Sequence, residues 1–239
     1  MPGHPSAGLR AFSCIAVFPW RCLTTGNKSA CQPFTKYLTH RGIAVISADY
    51  RKYPDAKYPD FLTDAAQAVA WVFQNIRKYG TPEGIYIGGS SAGGYISQML
   101  CFDPSLLEKH GISPTDAAGF ILDAGQPTCH FRVLKERGLD SRRVIIDETA
   151  PLYHITAERA YPPMLILVSD NDMQNRYEQT LLLVSTLNHF GYADRVTLTV
   201  MNGTHCSYVK AFDAEGNSIF GKLVYSFIDK LRLSLYNCS

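Results

Sequence analysis

The chain has 239 residues, 46% of them hydrophobic, which fits one domain (residues 1–239) with a sizeable buried core. A formal net charge of +2 with no long basic run argues against a nucleic-acid partner or an anionic membrane surface, and no apolar stretch reaches the roughly 18–20 residues that span a bilayer. Seven cysteines, an odd count without C-x-x-C or zinc-like spacing, read as mostly buried thiols of a reducing compartment, and no metal site is expected.

Arg10 ahead of the apolar Ala11–Phe18 loosely imitates a signal peptide. No small-x-small cleavage site follows and Pro19-Trp20-Arg21 is a poor flank, so a cytoplasmic protein is expected. Phe12–Phe18 can form a buried strand. Cys31–Arg41, with Phe34, Tyr37 and Leu38 at helical spacing, reads as a helix closed by Gly42, and Ile43–Ser47 as a short strand leading to Asp49-Tyr50-Arg51. After a Pro- and Tyr-rich connection through Pro54 and Pro59, the apolar positions Leu62, Ala65, Ala66, Val69, Val72, Phe73 and Ile76 recur every three or four residues. They predict an amphipathic helix over 60–79, ended by Gly80. A strand over Gly84–Gly88, a helix over Tyr95–Leu100 and a strand over Gly119–Asp123 follow. Residues 124–160 break the alternation and read as a cap-like insertion over the site. A strand over Met164–Val168, a helix over Tyr177–Phe190 closed by Gly191, a last strand over Val196–Val200 and a helix over 218–235 complete the chain. Short apolar strands alternating with helices predict an α/β protein, its mostly parallel sheet covered on both faces.

Chemistry concentrates between the strand at 84–88 and the next helix, in Gly89-Ser90-Ser91-Ala92-Gly93. A serine flanked by glycines at this spacing, on a strand-to-helix turn, is the pattern of a nucleophile elbow. The turn is so tight that Cβ-bearing neighbours would collide. Centring the pattern on Ser90 would put Ala92 where the second glycine belongs, so Ser91 is the candidate nucleophile. Neither G-x-G-x-x-G nor G-x-x-x-x-G-K-[ST] is present, which argues against a nucleotide-phosphate cradle. A serine hydroxyl needs a base to take its proton, and the base needs a carboxylate to fix its tautomer. The chain order serine, acid, histidine puts the acid after a late strand, where Asp170 and Asp172 both stand, with Asp172 preferred because it lies deeper in the loop. His205 follows the last strand and is the candidate base. His130 and His154 are read as surface or packing residues, and Cys206 as packing before chemistry. Tyr50, Tyr58 and Phe61 shape a pocket or fill the core.

The GSSAGG run at 89–94, the segment from Asp49-Tyr50-Arg51 to Tyr58-Pro59, and the Asp172 and His205 loops resemble the hormone-sensitive-lipase-like branch of the α/β-hydrolases. Small bacterial esterases of that branch are similar over about residues 23–232. The resemblance implies the α/β-hydrolase fold and a serine carboxylesterase acting on short-chain acyl esters without metal or cofactor. It implies that the Ala92 N–H donates to the oxyanion, with Gly89 and Gly93 beside it, and that residues 124–160 line the acyl or alcohol pocket. An arylformamidase-like amidase would use the same machinery. The partner expected is a small ester, with no nucleic acid and no membrane span, and a homodimer is left open.

One segment departs from the family. Where that branch carries His-Gly-Gly-Gly or His-Gly-Gly-Ala, whose N–H groups complete the oxyanion hole, this chain reads Phe18-Pro19-Trp20-Arg21-Cys22. Pro19 has no N–H, and Trp20 and Arg21 are bulky where glycine belongs. Pro-Trp-Arg-Cys-Leu can be encoded CCA-TGG-CGG-TGC-CTN, which one nucleotide later reads His-Gly-Gly-Ala. Residues 1–22 are therefore read as out of frame with an ancestral gene. The alternative function that follows is a catalytically impaired hydrolase-fold protein.

Overall fold

The computed structural model describes residues 11–18, 23 and 32–236. Its elements in chain order are β1 (Ala11–Phe18), α1 (Gln32–Thr39), β2 (Ile43–Ser47), α2 (Asp60–Asn75), β3 (Thr81–Ser90), α3 (Ala92–Phe102), α4 (Ser105–Glu108), β4 (Gly119–Asp123), α5 (Phe131–Glu136), β5 (Met164–Asn171), α6 (Arg176–His189), β6 (Val196–Thr204) and α7 (Ile219–Tyr236). The strands form a six-stranded sheet in the order β2-β1-β3-β4-β5-β6, every neighbouring pair parallel.

The central strands are apolar on both faces, as a sheet covered on both sides requires. Along β4, Phe120 and Leu122 join the cluster that holds α2, α3 and α6, while Ile121 joins the one that holds α1 and α7. Along β5, Met164 and Ile166 divide from Leu165 and Leu167 in the same way. The first cluster is closed by Phe61, Leu62, Ala65 and Val69 of α2 and by Leu183 and Leu187 of α6. The second is closed by Phe34 and Leu38 of α1 and by Phe220, Val224 and Ile228 of α7. Each such Leu, Ile or Phe taken fully out of water contributes about 1.5–3 kcal/mol.

Several boundaries differ from the sequence-based expectation. The α-helical part of 60–79 ends at Asn75 and tightens into a 3₁₀ turn over Ile76–Lys78. α3 starts at Ala92 rather than Tyr95, because its two glycines form a first turn pressed against the sheet. β5 and β6 run on to Asn171 and Thr204, past their apolar cores, because Asn171 pairs with Thr204 beyond a register shift. The stretch 124–160 carries α5 and a 3₁₀ turn at Pro151–His154. It docks on α3 through Cys129, Val133, Leu134 and Leu152, and Tyr95 Oη donates to the Thr149 carbonyl at 2.6 Å.

The strand order reverses between β1 and β3, where the chain first builds toward β2 and then returns to add β3 on the other side. In open α/β sheets, ligands bind in the crevice outside the carboxyl ends of the strands at such a switch point. The carboxyl end of β3 is Ser90, one residue before Ser91.

Candidate active site

The link from β3 to α3 leaves no room for side chains. A Cβ on Gly89 would lie 2.6 Å from the Gly93 carbonyl carbon, and one on Gly93 would run into the Phe18 carbonyl of β1. With both positions bare, the chain reverses through Ser91 at φ 55° and ψ −113°, a conformation that costs a non-glycine residue about 1–3 kcal/mol. Two backbone bonds hold it there: Ser91 N–H donates to the Asp123 carbonyl at 2.8 Å, and Tyr95 N–H donates to the Ser91 carbonyl at 2.9 Å. Ser90 is buried beside the Asp123 carboxyl. The reversal separates the two serines, Ser90 facing the sheet end and Ser91 facing the loops that follow β5 and β6.

Those loops bring the other two candidates to Ser91. His205 Nε2 lies 2.8 Å from Ser91 Oγ, and its Nδ1 lies 2.5 Å from Asp172 Oδ1. The imidazole is partly buried and the Asp172 side chain wholly so. Asp172 also accepts backbone N–H groups, from Met173 at 2.7 Å on Oδ1 and from Ser169 at 3.3 Å on Oδ2. Burial pushes its carboxyl up, but the hydrogen bond and charge of His205 and these two amides outweigh burial and hold it below the ordinary value. Asp170 has a different partner set. Its Oδ1 accepts Gly203 N–H at 2.9 Å and its Oδ2 accepts Asn202 Nδ2 at 3.3 Å, so it ties down the end of β6 ahead of the histidine.

Ala92 is the first residue of α3 and fully buried. Its N–H precedes any intrahelical acceptor, as do all amides of a helix's first turn. Gly89 is paired with Phe18 and Leu122 inside the sheet, and an added Cβ at either Gly89 or Gly93 would strike backbone. Pro19–Cys22, the segment expected to depart from the usual oxyanion donors, lies outside the described residues, as does the rest of the stretch 1–10.

The remaining candidates settle into the scaffold. Cys206 is buried in the left-handed region with Sγ 3.7 Å from His205 Nε2, and burial drives its thiol well above the ordinary value. His130 is buried, stacks on Phe131 and caps α5 by accepting Arg132 N–H at 3.2 Å; burial first, then Arg176 and Arg132, keep it neutral. His154 Nε2 meets the Glu148 carbonyl at 2.9 Å. Tyr50 and Phe61 belong to the core, with Tyr58 packed against it. Cys14, Cys101, Cys129 and Cys206 are free and buried. Among the described residues no three His, Cys, Asp or Glu side chains converge as metal ligands, and no helix is long and apolar enough to cross a membrane.

Two residues escaped the sequence-based reading. Asp123, at the end of β4, receives the Tyr208 hydroxyl on Oδ1, and both border the Ser91–His205–Asp172 group. The one available signal was a lone carboxylate closing the apolar run Gly-Phe-Ile-Leu-Asp at the carboxyl edge of the sheet.

Comparison with known proteins bears on the fold and on the kind of protein the chain is similar to. Residues 21–115 match the family model described as BD-FAE. A probable carboxylic ester hydrolase of Mycobacterium tuberculosis, LipM, is 36% identical over 89 residues, which are 36% of this chain and 21% of that protein. A probable isoprenylcysteine α-carbonyl methylesterase of Arabidopsis thaliana, ICMEL2, is 39% identical over 77 residues, 32% of this chain and 18% of that one. The matched stretches thus span about a fifth of these curated relatives. The apo form of Thermogutta terrifontis esterase 2 superposes with a TM-score of 0.74 at 26% identity, over 98% of this chain and 87% of its own. The six parallel strands with helices on both faces are the α/β-hydrolase fold, as expected from the sequence.

Proposed function

We propose that this α/β-hydrolase-fold chain is a serine carboxylesterase that cleaves short-chain acyl esters through an acyl-enzyme. The observation that carries the reading is the unbroken relay from Ser91 Oγ through His205 to Asp172, at 2.8 and 2.5 Å, mounted on an elbow at φ 55°. Esterases among its relatives and structural neighbours support the same reading.

In this mechanism His205 Nε2 takes the Ser91 proton as Oγ attacks the ester carbonyl carbon, and Nδ1–H donates to Asp172 throughout. The buried carboxylate keeps the imidazole in the tautomer that leaves Nε2 free to accept, and stabilises the imidazolium that results. The tetrahedral oxyanion is met by Ala92 N–H at the start of α3, where the helix dipole adds to the bond. His205 returns the proton to the alkoxide leaving group, which departs and leaves Ser91 acylated. Water, deprotonated by the same His205, attacks the acyl carbonyl and releases the acid with Ser91 restored. Every step is carried by side chains and amides of this one domain, and the segment 124–160, packed on α3, lines the substrate pocket.

A slowed form of the same enzyme is the second reading, favoured by Pro19-Trp20-Arg21 in the segment after β1. Loss of one oxyanion donor costs about 10²–10³ in turnover, some 3–4 kcal/mol. Steady-state hydrolysis of p-nitrophenyl acetate and butyrate, with Ser91→Ala alongside, tests the function. The expected outcome is a fall of about 10³-fold or more in kcat for Ser91→Ala; equal rates in the two proteins would refute it.

A further inference from the structure

Asp123 has no part in the relay just described, yet it sits between the relay's two ends. Its backbone carbonyl accepts Ser91 N–H at 2.8 Å, so it anchors the elbow. Its side chain is fully buried, and Oδ1 accepts the hydroxyl of Tyr208, three residues beyond His205 on the same loop. The Ser90 side chain lies beside this carboxyl and pulls its proton affinity down. One residue therefore grips the nucleophile's turn through its backbone and the base's loop through its side chain. The second oxygen, Oδ2, is buried without a hydrogen-bond partner. A carboxylate buried with one oxygen unsatisfied is costly, and an apolar residue would serve packing better.

We propose that Asp123 and Tyr208 form a latch that holds His205 in register with Ser91 and lends negative charge to the imidazolium formed during turnover. The inference rests on the serine-hydrolase reading of the site. The two are positioning residues: neither touches the reacting atoms, and both act through His205. The groups that face Asp123 are Ser90 from β3, Asp172 from the loop after β5, and His205, Cys206 and Tyr208 from the loop after β6. Arg176 of α6 lies close by, donating to the carbonyl of Ala124, the next residue in the chain. Burial is the first cause of the position of the Asp123 carboxyl, which is pushed up to about 7 against the pull of Ser90, Tyr208 and His205. The latch is therefore neutral on the acid side of neutrality and charged on the alkaline side, and only the charged form favours the imidazolium.

The test compares wild type, Tyr208→Phe, Asp123→Asn, the double variant and Ser91→Ala on p-nitrophenyl butyrate from about pH 5.5 to 8.5, with thermal melts of each. Tyr208→Phe is expected to lower kcat about tenfold across the range with KM within about twofold. Asp123→Asn, which keeps an acceptor for Tyr208 but cannot ionise, is expected to match wild type at about pH 5.5. It should fall progressively behind through about 7, to about tenfold by pH 8.5. The double variant should be no slower than the slower single, because the pair acts as one unit. Either a Tyr208→Phe protein with kcat within about twofold of wild type, or a pH-independent ratio of wild type to Asp123→Asn, overturns the latch while Ser91→Ala stays inactive. If Asp123→Asn does not fold, Tyr208→Phe decides alone. Full turnover by Ser91→Ala would instead sink the serine-hydrolase reading itself, a distinguishable result.

Discussion

Two aspartates stand two residues apart, Asp170 near the end of β5 and Asp172 just past it, and their partners differ in kind. Asp172 is wholly buried against His205 Nδ1 at 2.5 Å, whereas Asp170 is exposed and accepts Gly203 N–H and Asn202 Nδ2. A carboxylate that orients the base and balances its charge is worth far more to turnover than one that pins a loop from the solvent side. Asp172→Asn replaces an acceptor oxygen by a donor amide in one orientation and removes the charge in both. It is expected to lower kcat by about 10³–10⁴-fold with little change in KM, as loss of the correct tautomer does elsewhere. Asp170→Ala frees one strand end and is expected to cost less than about tenfold in kcat. Parallel kcat and KM measurements on the two variants check this, and equal losses would refute the division of labour. The Asp172 carboxyl is held low, so the stability it contributes is present above the ordinary carboxylate value. That stability is lost as pH falls through the lower folded value. Acid melts of wild type should accordingly lose a component that Asp172→Asn lacks.

At the scale of elements, the elbow depends on helix α3 lying hard against β1. A methyl group on Gly93 meets the Phe18 carbonyl, which is backbone within the sheet and cannot swing aside. Gly93→Ala should therefore destabilise by about 1–3 kcal/mol, the cost of overpacking a tight contact, which for a chain of this size is a Tm drop of roughly 2–12 °C. It should also lower kcat, because the elbow shifts. Gly111→Ala is the control: φ there is +72° with nothing within 4 Å of an added Cβ, so it costs about 1–2 kcal/mol of left-handed strain and leaves kcat unchanged. Melting and kinetics of both variants check the pair, and a Gly93→Ala protein with wild-type kcat would refute the argument. The same contact shows what could and could not be read from sequence. The short continuous apolar runs mark every strand and the period-3.6 runs mark the longer helices, because strands covered on both faces and helices buried on one each leave a pattern along the chain. The start of α3 was misplaced because Gly93 and Gly94 look like turn residues, while only the neighbouring strands reveal that they are a helix's first turn. The polar ends of β5 and β6 were missed for a related reason: the Asn171–Thr204 pairing is made across the sheet and leaves no apolar mark. Ser91, Asp172 and His205 were legible because each follows a strand in a set order. Asp123 and Tyr208, 85 residues apart, become neighbours only through the fold.

Seen as a whole, the molecule focuses attention on the one stretch its sheet order makes decisive. Because β1 lies next to β3, its last residue, Phe18, pairs with Gly89, two residues before the nucleophile candidate. The residues that follow Phe18 are Pro19, with no N–H to give, then Trp20, Arg21 and Cys22. On the proposed mechanism, Pro19 takes away one N–H that His-Gly-Gly-Ala would offer beside Ala92. Replacing Pro19-Trp20-Arg21-Cys22 by His-Gly-Gly-Ala should raise kcat on p-nitrophenyl butyrate by about 10²–10³-fold, with KM changed far less, because the added donors act on the developing oxyanion. Adding Ser91→Ala to the replaced chain should abolish the gain, which ties it to this elbow and not to a new activity of the introduced histidine. An unchanged kcat in the replaced chain would mean that the donors already come from another part of the fold. The nucleotide sequence across codons 19–22 supplies an independent check of origin: an out-of-frame descent from His-Gly-Gly-Ala requires CCA-TGG-TGC around an Arg21 codon of CGG or AGG, and any other set breaks that descent.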